Sequence, residues 1–313
     1  MALEAWKEVF DFYRDVIRDL NASGVESAAT GGIACIFHGL VQQTKDLDLV
    51  VTPGRSETIR LVLAGRSFHG NSVAYMGPFG CPLDDRWLSG GWSSHLCYGR
   101  NNTESYPRID FMSRPPRVDS WQRGVDFECV DADTLSWTKK TQREKDWAVV
   151  NSLGVKMIEA GDMRGWLHLH DARILTGLVE QGQHPPQDMR KARPLLQLAA
   201  TRSPELRPVL EVEKFQIQQV DHERLREYQA AWKPYGREVN RIWDDIANLP
   251  FPEQHQEMVH VAERLLKKEV IGPREMEALI GRAWQETRKQ FPRAKKEWIS
   301  ERFRPKVAMR MSL

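Results

Sequence analysis

Gly31-Gly32, then thirteen residues, then Asp46-Leu47-Asp48-Leu49-Val50-Val51 is the stretch that decides how this chain reads. Acid and apolar residues alternate from Asp46 to Leu49 before the run turns wholly apolar, as in a strand entering a buried sheet. Side chains two apart on a strand point to the same face. Asp46 and Asp48 therefore present two carboxylates together, while Leu47 and Leu49 face a core. Like charges this close are unfavourable unless a cation stands with them. The glycine pair carries no side chains, so its backbone can approach phosphate oxygens, and the N-terminus of a following helix adds donors and a favourable dipole. Ile33 to Leu40 is apolar and compact and predicts that helix.

Working outward, Arg108-Ile109-Asp110-Phe111-Met112 reads as a second short acid-bearing strand. Asp110 is the candidate third carboxylate, placed to bind a catalytic metal and to help deprotonate an acceptor hydroxyl. Chemistry that displaces pyrophosphate from an NTP wants this set: hard oxygen ligands for divalent cations, which neutralise the triphosphate.

Gly31-Gly32-Ile33-Ala34, followed by Thr44-Lys45-Asp46-Leu47-Asp48-Leu49-Val50, resembles the opening motif of the polymerase-β-like nucleotidyltransferase superfamily. The likeness is greatest to the small bacterial branch that includes nucleotidyltransferase toxins of abortive-infection and toxin–antitoxin systems. The segment from Asp133 to Trp147 is similar to the helix those proteins carry after the core sheet. Together these segments fall between about residues 25 and 155, a little under half of the chain.

The resemblance implies a metal-dependent transfer of an NMP from an NTP to an acceptor hydroxyl. Asp46, Asp48 and Asp110 would hold Mg²⁺ or Mn²⁺, and Gly31, Gly32 and Thr44 would line the nucleotide. Lys139 or Lys140 would be the phosphate lysine, and Arg143, Lys145 and Asp146 match the family's Arg-x-Lys-Asp run. The implied acceptor is tRNA or another RNA, in a toxin or phage-defence setting with an antitoxin as partner. Two alternatives stay open. One is transfer to a small hydroxylated molecule such as an antibiotic. The other is a non-catalytic nucleotide- or partner-binding protein, because Gln42 stands where relatives usually have an arginine.

Composition bounds the rest. The chain has 313 residues, 41% of them hydrophobic and 28% charged, with a net charge of +2, which is ordinary for a globular protein. Its length predicts two domains. No stretch approaches the roughly 18–20 apolar residues of a membrane span, and the start Met1-Ala2-Leu3-Glu4 has no secretory pattern. Cys35, Cys81, Cys97 and Cys129 show no C-x-x-C spacing, which argues against a disulfide framework or thiolate zinc site. A cytoplasmic protein without a membrane partner is expected. His168-Leu169-His170-Asp171 suggests a metal, but histidines two apart do not share a helix face.

Along the chain, residues 4–20 read as an amphipathic helix, and Ser56 to Leu63 as another with Ser56 as cap. Residues 67–106, rich in Gly, Ser, Pro and Trp, read as irregular strands and loops over an exposed face, with Trp92 as a lid or acceptor contact. Phe127 to Val130 predicts a further strand, and Asp131 or Asp133 caps a helix running through Leu135, Trp147 and Leu153. Beyond Gly154 every periodic segment is helical: 156–179, 205–246, 252–266 and 273–299.

The fold class expected is α+β, a nucleotidyltransferase-fold mixed sheet with flanking helices over residues 1–154. An all-helical domain that binds acceptor or partner would follow over 155–313. From Arg282 onward ten basic residues stand against three acidic ones, a net of +7. That charge suits the phosphates of an RNA, and equally a solvated helix face.

Overall fold

Six strands form one sheet in the computed structural model, which describes residues 3–40, 44, 46–99, 106–124 and 128–304, and of 3–5 only the backbone. They are β1 (Ser27–Thr30), β2 (Leu47–Val51), β3 (Ser67–Phe68), β4 (Asn71–Tyr75), β5 (Ser93–Tyr98) and β6 (Arg108–Met112), in the order β1-β2-β6-β5-β4-β3. β2 and β6 run parallel, and every other neighbouring pair is antiparallel. The class is α+β with a mixed sheet.

Period-two alternation makes the sheet two-faced. In β6, Ile109 and Phe111 are fully buried while Asp110 and Met112 reach the partly open face. β5 repeats this with Ser94 and Leu96 inside and Ser93 and His95 outside. Helices α1 (Leu3–Ala22), α2 (Gly31–Phe37) and α3 (Ser56–Ala64) accompany these strands. Tyr13, Val16, Ile17 and Leu20 repeat at three- and four-residue spacing along α1 and are buried. Phe12 packs edge-on to Phe68 and Tyr98, whose hydroxyl donates to the Leu63 carbonyl at 2.9 Å. Burying one such ring contributes about 1.5–3 kcal/mol.

The stretch 67–106 departs from its expected irregularity. Among its described residues it holds β3, β4, β5 and the short α4 (Asp85–Leu88), and it is largely buried, Trp87 and Tyr98 completely so. Gly90 and Gly91 serve close packing rather than looseness. A Cβ on Gly90 would stand 1.7 Å from the Lys268 carbonyl oxygen, and one on Gly91 2.4 Å from the Tyr228 hydroxyl. Trp92 is correspondingly an anchor, not a lid: it is buried, its Nε1 donates to the Lys267 carbonyl at 2.8 Å, and its ring meets Tyr228 edge-on.

Ser56 is the first residue of α3, with Arg55 at the cap position. Its hydroxyl instead donates to Asp85 Oδ2 at 2.8 Å. Phe127 lies outside the described residues, whereas Cys129 and Val130 form isolated bridges with Ala29 and Arg123. The helix expected through Leu135 and Trp147 is two, α5 (Ala132–Lys139) and α6 (Glu144–Glu159). Asp131 is the cap of α5, accepting from the Thr134 amide at 2.8 Å.

The remaining helices are α7 (Ala172–Glu180), α8 (Gln187–Ala192), α9 (Leu196–Ala200), α10 (Leu206–Ile246), α11 (Phe251–Leu265) and α12 (Pro273–Gln290). Contacts divide the chain into one unit of residues 1–138 and 228–270, and another of 139–227 and 271–313. Residue 154, where the sequence changes texture, lies inside α6, and α11 belongs with the sheet.

The second unit is built around Trp166, Leu169, Leu175, Leu196 and Leu210. Arg193 and Glu213 are buried there as a pair, with Arg193 Nε and Nη2 at 2.9 and 2.6 Å from Glu213 Oε2. Arg193 also donates to the carbonyls of Trp166 and Leu169. Removing one member would cost about 3–5 kcal/mol, because it strands the other charge. His170 belongs to this network through an Nδ1 contact with Arg193 at 3.1 Å. Its own burial, then the charge of Arg193, holds its pKa well below the usual histidine value.

Candidate functional site

Register assembles the polar face of the sheet into a row. Thr30 stands opposite Asp48, Asp48 opposite Asp110, and Asp110 opposite His95. Residues directly across neighbouring strands share a face at about 5 Å spacing. Four strands thus bring a hydroxyl, two carboxylates and an imidazole into one line. Asp46, two residues before Asp48, joins the same side, since it and Asp110 interact electrostatically with each other and both act on His95.

The glycine turn closes one end of the row. Gly31 has φ +60°, a conformation that favours glycine, and a Cβ there would lie 1.8 Å from Asp48 Oδ2. A Cβ on Gly32 would lie 2.3 Å from Thr44 Oγ1. The carboxylate of Asp48 therefore rests directly on the backbone of the turn. Thr44 stands beside Asp46, its hydroxyl 3.4 Å from Asp46 Oδ1 and 3.3 Å from the Asp46 carbonyl. Thr30 ends β1 in extended conformation, with its Oγ1 3.5 Å from Thr138 Oγ1 at the end of α5.

His95 closes the other end. Its Nδ1 is 2.7 Å from Asp110 Oδ1 and its Nε2 is 3.2 Å from Ser93 Oγ. Burial alone would lower its pKa. The hydrogen bond and charge of Asp110, with Asp48 and Asp46 behind, outweigh burial and raise it above the usual histidine value. Asp46 is held above the usual carboxylate range, first by burial and then by the charge of Asp110. The hydrogen bond from Thr44 and the charges of Arg108 and His95 act the other way without cancelling this.

Hard oxygens from Asp46, Asp48 and Asp110, under mutual repulsion, are the donor set that a divalent cation such as Mg²⁺ or Mn²⁺ relieves. Among the described residues, no group of three His, Cys, Asp and Glu side chains already stands in metal-holding geometry.

The other residues singled out in the sequence lie in the second unit. Lys139 is the half-buried last residue of α5. Lys140 is buried and donates to the Leu167 carbonyl at 2.8 Å, so its ammonium is engaged within its own unit. Asp146 is buried and accepts from Thr141 Oγ1 at 2.6 Å and from Arg143 Nε at 2.7 Å, so this pair shapes the turn entering α6. Gln42 and Lys45 lie outside the described residues.

Sequence reading missed His95 and Ser93. Their signal was the alternation Ser93-Ser94-His95-Leu96, polar outward and buried inward, set within a stretch whose glycines suggested loops. Comparisons with family models, with curated proteins and with solved structures found no match for this chain.

Proposed function

We propose that the chain is a metal-dependent nucleotidyltransferase, its sheet the nucleotidyltransferase fold, transferring an NMP from an NTP to an acceptor hydroxyl. The observation that carries this reading is the register Asp48 opposite Asp110 on parallel strands, with the Gly31 turn against Asp48. A divalent cation held by Asp46, Asp48 and Asp110 would neutralise the triphosphate and the developing charge on the acceptor oxygen. Gly31 and Gly32 let Asp48 and Thr44 close against the turn, where any side chain would collide with them, and the turn's backbone amides would face the phosphate oxygens. Asp110 receives the acceptor's proton as its oxygen bonds to the α-phosphorus, and the bond to the bridging oxygen breaks to release pyrophosphate. His95 fixes the orientation of the Asp110 carboxylate.

RNA is the acceptor favoured. Exposed Arg288, Arg293 and Lys295 of the second unit support it, together with the family resemblance, from which a toxin or phage-defence role with an antitoxin also follows. The test is incubation of the purified protein with labelled NTPs, Mg²⁺ and total RNA, beside Asp46→Ala. Label transferred by the wild type alone supports the reading. No transfer by either protein, to RNA or to hydroxylated small molecules, counts against it.

A second reading has the order Ser93–His95–Asp110 in its favour, the hydroxyl–imidazole–carboxylate sequence of a serine nucleophile. Labelling of Ser93 by a fluorophosphonate probe is its signature. No labelling leaves nucleotidyl transfer as the account of the row.

A further inference from the structure

Among the described residues, Phe79 is one of the few large apolar side chains left exposed, at 42%. It lies in the segment Gly77-Pro78-Phe79-Gly80, which arches over β5. Both sides of the arch are tied to that strand: the Met76 amide donates to the His95 carbonyl at 3.1 Å, and the Cys81 amide donates to the Ser93 carbonyl at 2.9 Å. Only Ser94 lies between those two acceptors on β5, so the extra residues of the arch bulge out of the ladder. The Phe79 ring sits 6.2 Å from the His95 ring in an edge arrangement.

Two glycines shape the arch around that ring. A Cβ on Gly77 would lie 2.5 Å from Phe79 Cε1 and Cζ, and one on Gly80, at φ +80°, 2.4 Å from His95 Cδ2. The loop has therefore given up side chains at both flanks, which lets the aromatic ring and the imidazole come close. Exposure of the ring costs solvation free energy that an inward rotamer or a polar residue would avoid. A ring held in this way at the end of a line of catalytic-type groups points to a ligand with a flat apolar face.

Position along the row says which ligand. The order is glycine turn, Asp48, Asp110, His95, with Phe79 beyond His95. The triphosphate belongs at the glycine turn, and Asp110 faces the acceptor hydroxyl. Phe79 therefore stands on the acceptor's side of Asp110, away from the nucleotide's phosphates. We infer that Phe79 is the platform on which an unpaired base of a single-stranded RNA acceptor stacks, next to the hydroxyl that receives the nucleotide. This rests on the nucleotidyltransferase reading and narrows its acceptor from any hydroxyl to that of an unpaired nucleoside. Stacking needs the base unpaired and splayed out, so a duplex end would not serve.

The experiment measures binding of a short fluorescent single-stranded RNA by anisotropy, and of Mg²⁺-NTP by calorimetry, on the full chain. The variants are Phe79→Ala, Phe79→Leu and Phe79→Trp. Leucine keeps apolar bulk against Gly77 without an aromatic face, which separates stacking from packing. The alanine and leucine variants are expected to bind RNA about ten-fold more weakly, the size of one base–aromatic stack, with tryptophan restoring affinity. Mg²⁺-NTP affinity stays unchanged in all three. Unaltered RNA affinity, an equal loss for duplex RNA, or a loss that falls on the NTP instead overturns the assignment. Failure of the wild type to bind single-stranded RNA overturns it too. The underlying reading is judged separately by whether NTP binding depends on Asp46.

Discussion

His95 Nδ1 and Asp110 Oδ1 stand 2.7 Å apart, directly opposite one another across the β5–β6 pair. Each would be unsatisfied without the other, and both side chains are mostly buried. His95→Leu should therefore cost about 1–3 kcal/mol when the histidine is charged. The folded-state pKa of His95 is raised above 6.5. Its contribution is thus fully present below the unfolded value and is lost as pH rises through the folded one. Urea unfolding of wild type and variant at about pH 6 and about pH 9 checks this: the gap should narrow at the higher pH. A gap that widens with pH would show that the imidazole is neutral in the folded chain.

Asp46 has the opposite character. Burial and Asp110 raise its pKa, so above that value the folded chain carries a carboxylate it would hold more easily protonated. Asp46→Asn should raise the metal-free melting temperature at neutral pH. The gain should disappear as pH falls toward the ordinary aspartate value of 3.8, where wild-type Asp46 is neutral as well. Mg²⁺ or Mn²⁺ should raise the melting temperature of the wild type and leave the variant nearly unmoved. Equal stabilisation of both proteins by metal would place the cation elsewhere.

The row of acids was legible because period-two alternation is a local signal. Asp46, Leu47, Asp48 and Leu49 declare their faces within one strand, and Arg108 to Met112 does the same for Asp110. What stayed hidden depends on residues far apart in sequence. Gly90 and Gly91 look like loop residues until Lys268 and Tyr228 arrive against them. Taking them as loop hid β5 and with it His95. Lys140 and Asp146 were equally opaque: the resemblance offered a lysine for phosphate and an aspartate of the Arg-x-Lys-Asp run, and nothing local showed that either is buried. Their burial is set by the Leu167 carbonyl and the Thr141 hydroxyl. The segment from His168 to Asp171 was set aside as a metal site on spacing alone, and its place beside Arg193 needed the tertiary structure.

Lys139 and Lys140 are neighbours with different fates, and substitution separates them. Lys140 is 1% exposed and bonded to a buried-side carbonyl, so Lys140→Ala loses a hydrogen bond and leaves a gap in the second unit. Its expected cost is about 2–4 kcal/mol in chemical denaturation. Lys139→Ala should cost less than about 1 kcal/mol, as for a partly exposed helix-end lysine, while weakening NTP binding. An unaltered NTP affinity for Lys139→Ala would remove it from the nucleotide site.

His255 should govern part of the acid response of the sheet-bearing unit. Its Nδ1 meets the Tyr75 hydroxyl at 2.8 Å, and burial, then the charge of Arg60, lowers its pKa from 6.5 to about 4. Between those values the unfolded chain takes up a proton that the folded chain refuses. Stability is therefore complete above 6.5 and falls as pH drops toward 4, by up to about 3 kcal/mol. His255→Gln should flatten that limb of the stability–pH curve. A curve of unchanged slope would mean that another group supplies it.

Gly31 and Gly24 offer a controlled test of the glycine turn. Both have positive φ, +60° and +75°, so alanine at either position incurs the left-handed backbone cost of about 1–2 kcal/mol. Around Gly24 nothing lies within 4 Å of the added Cβ, whereas at Gly31 that atom would collide with Asp48 Oδ2 at 1.8 Å. The backbone term is thus common to both variants, and the displacement of Asp48 belongs to one. Gly24→Ala should lose stability and keep Mg²⁺-NTP affinity. Gly31→Ala should lose at least as much stability and also lose nucleotide and metal binding, since Asp48 must rotate off the turn. Calorimetric titration of both variants decides the matter: NTP affinity retained by Gly31→Ala would separate the glycine turn from the triphosphate, and the carboxylate row would then need a different ligand.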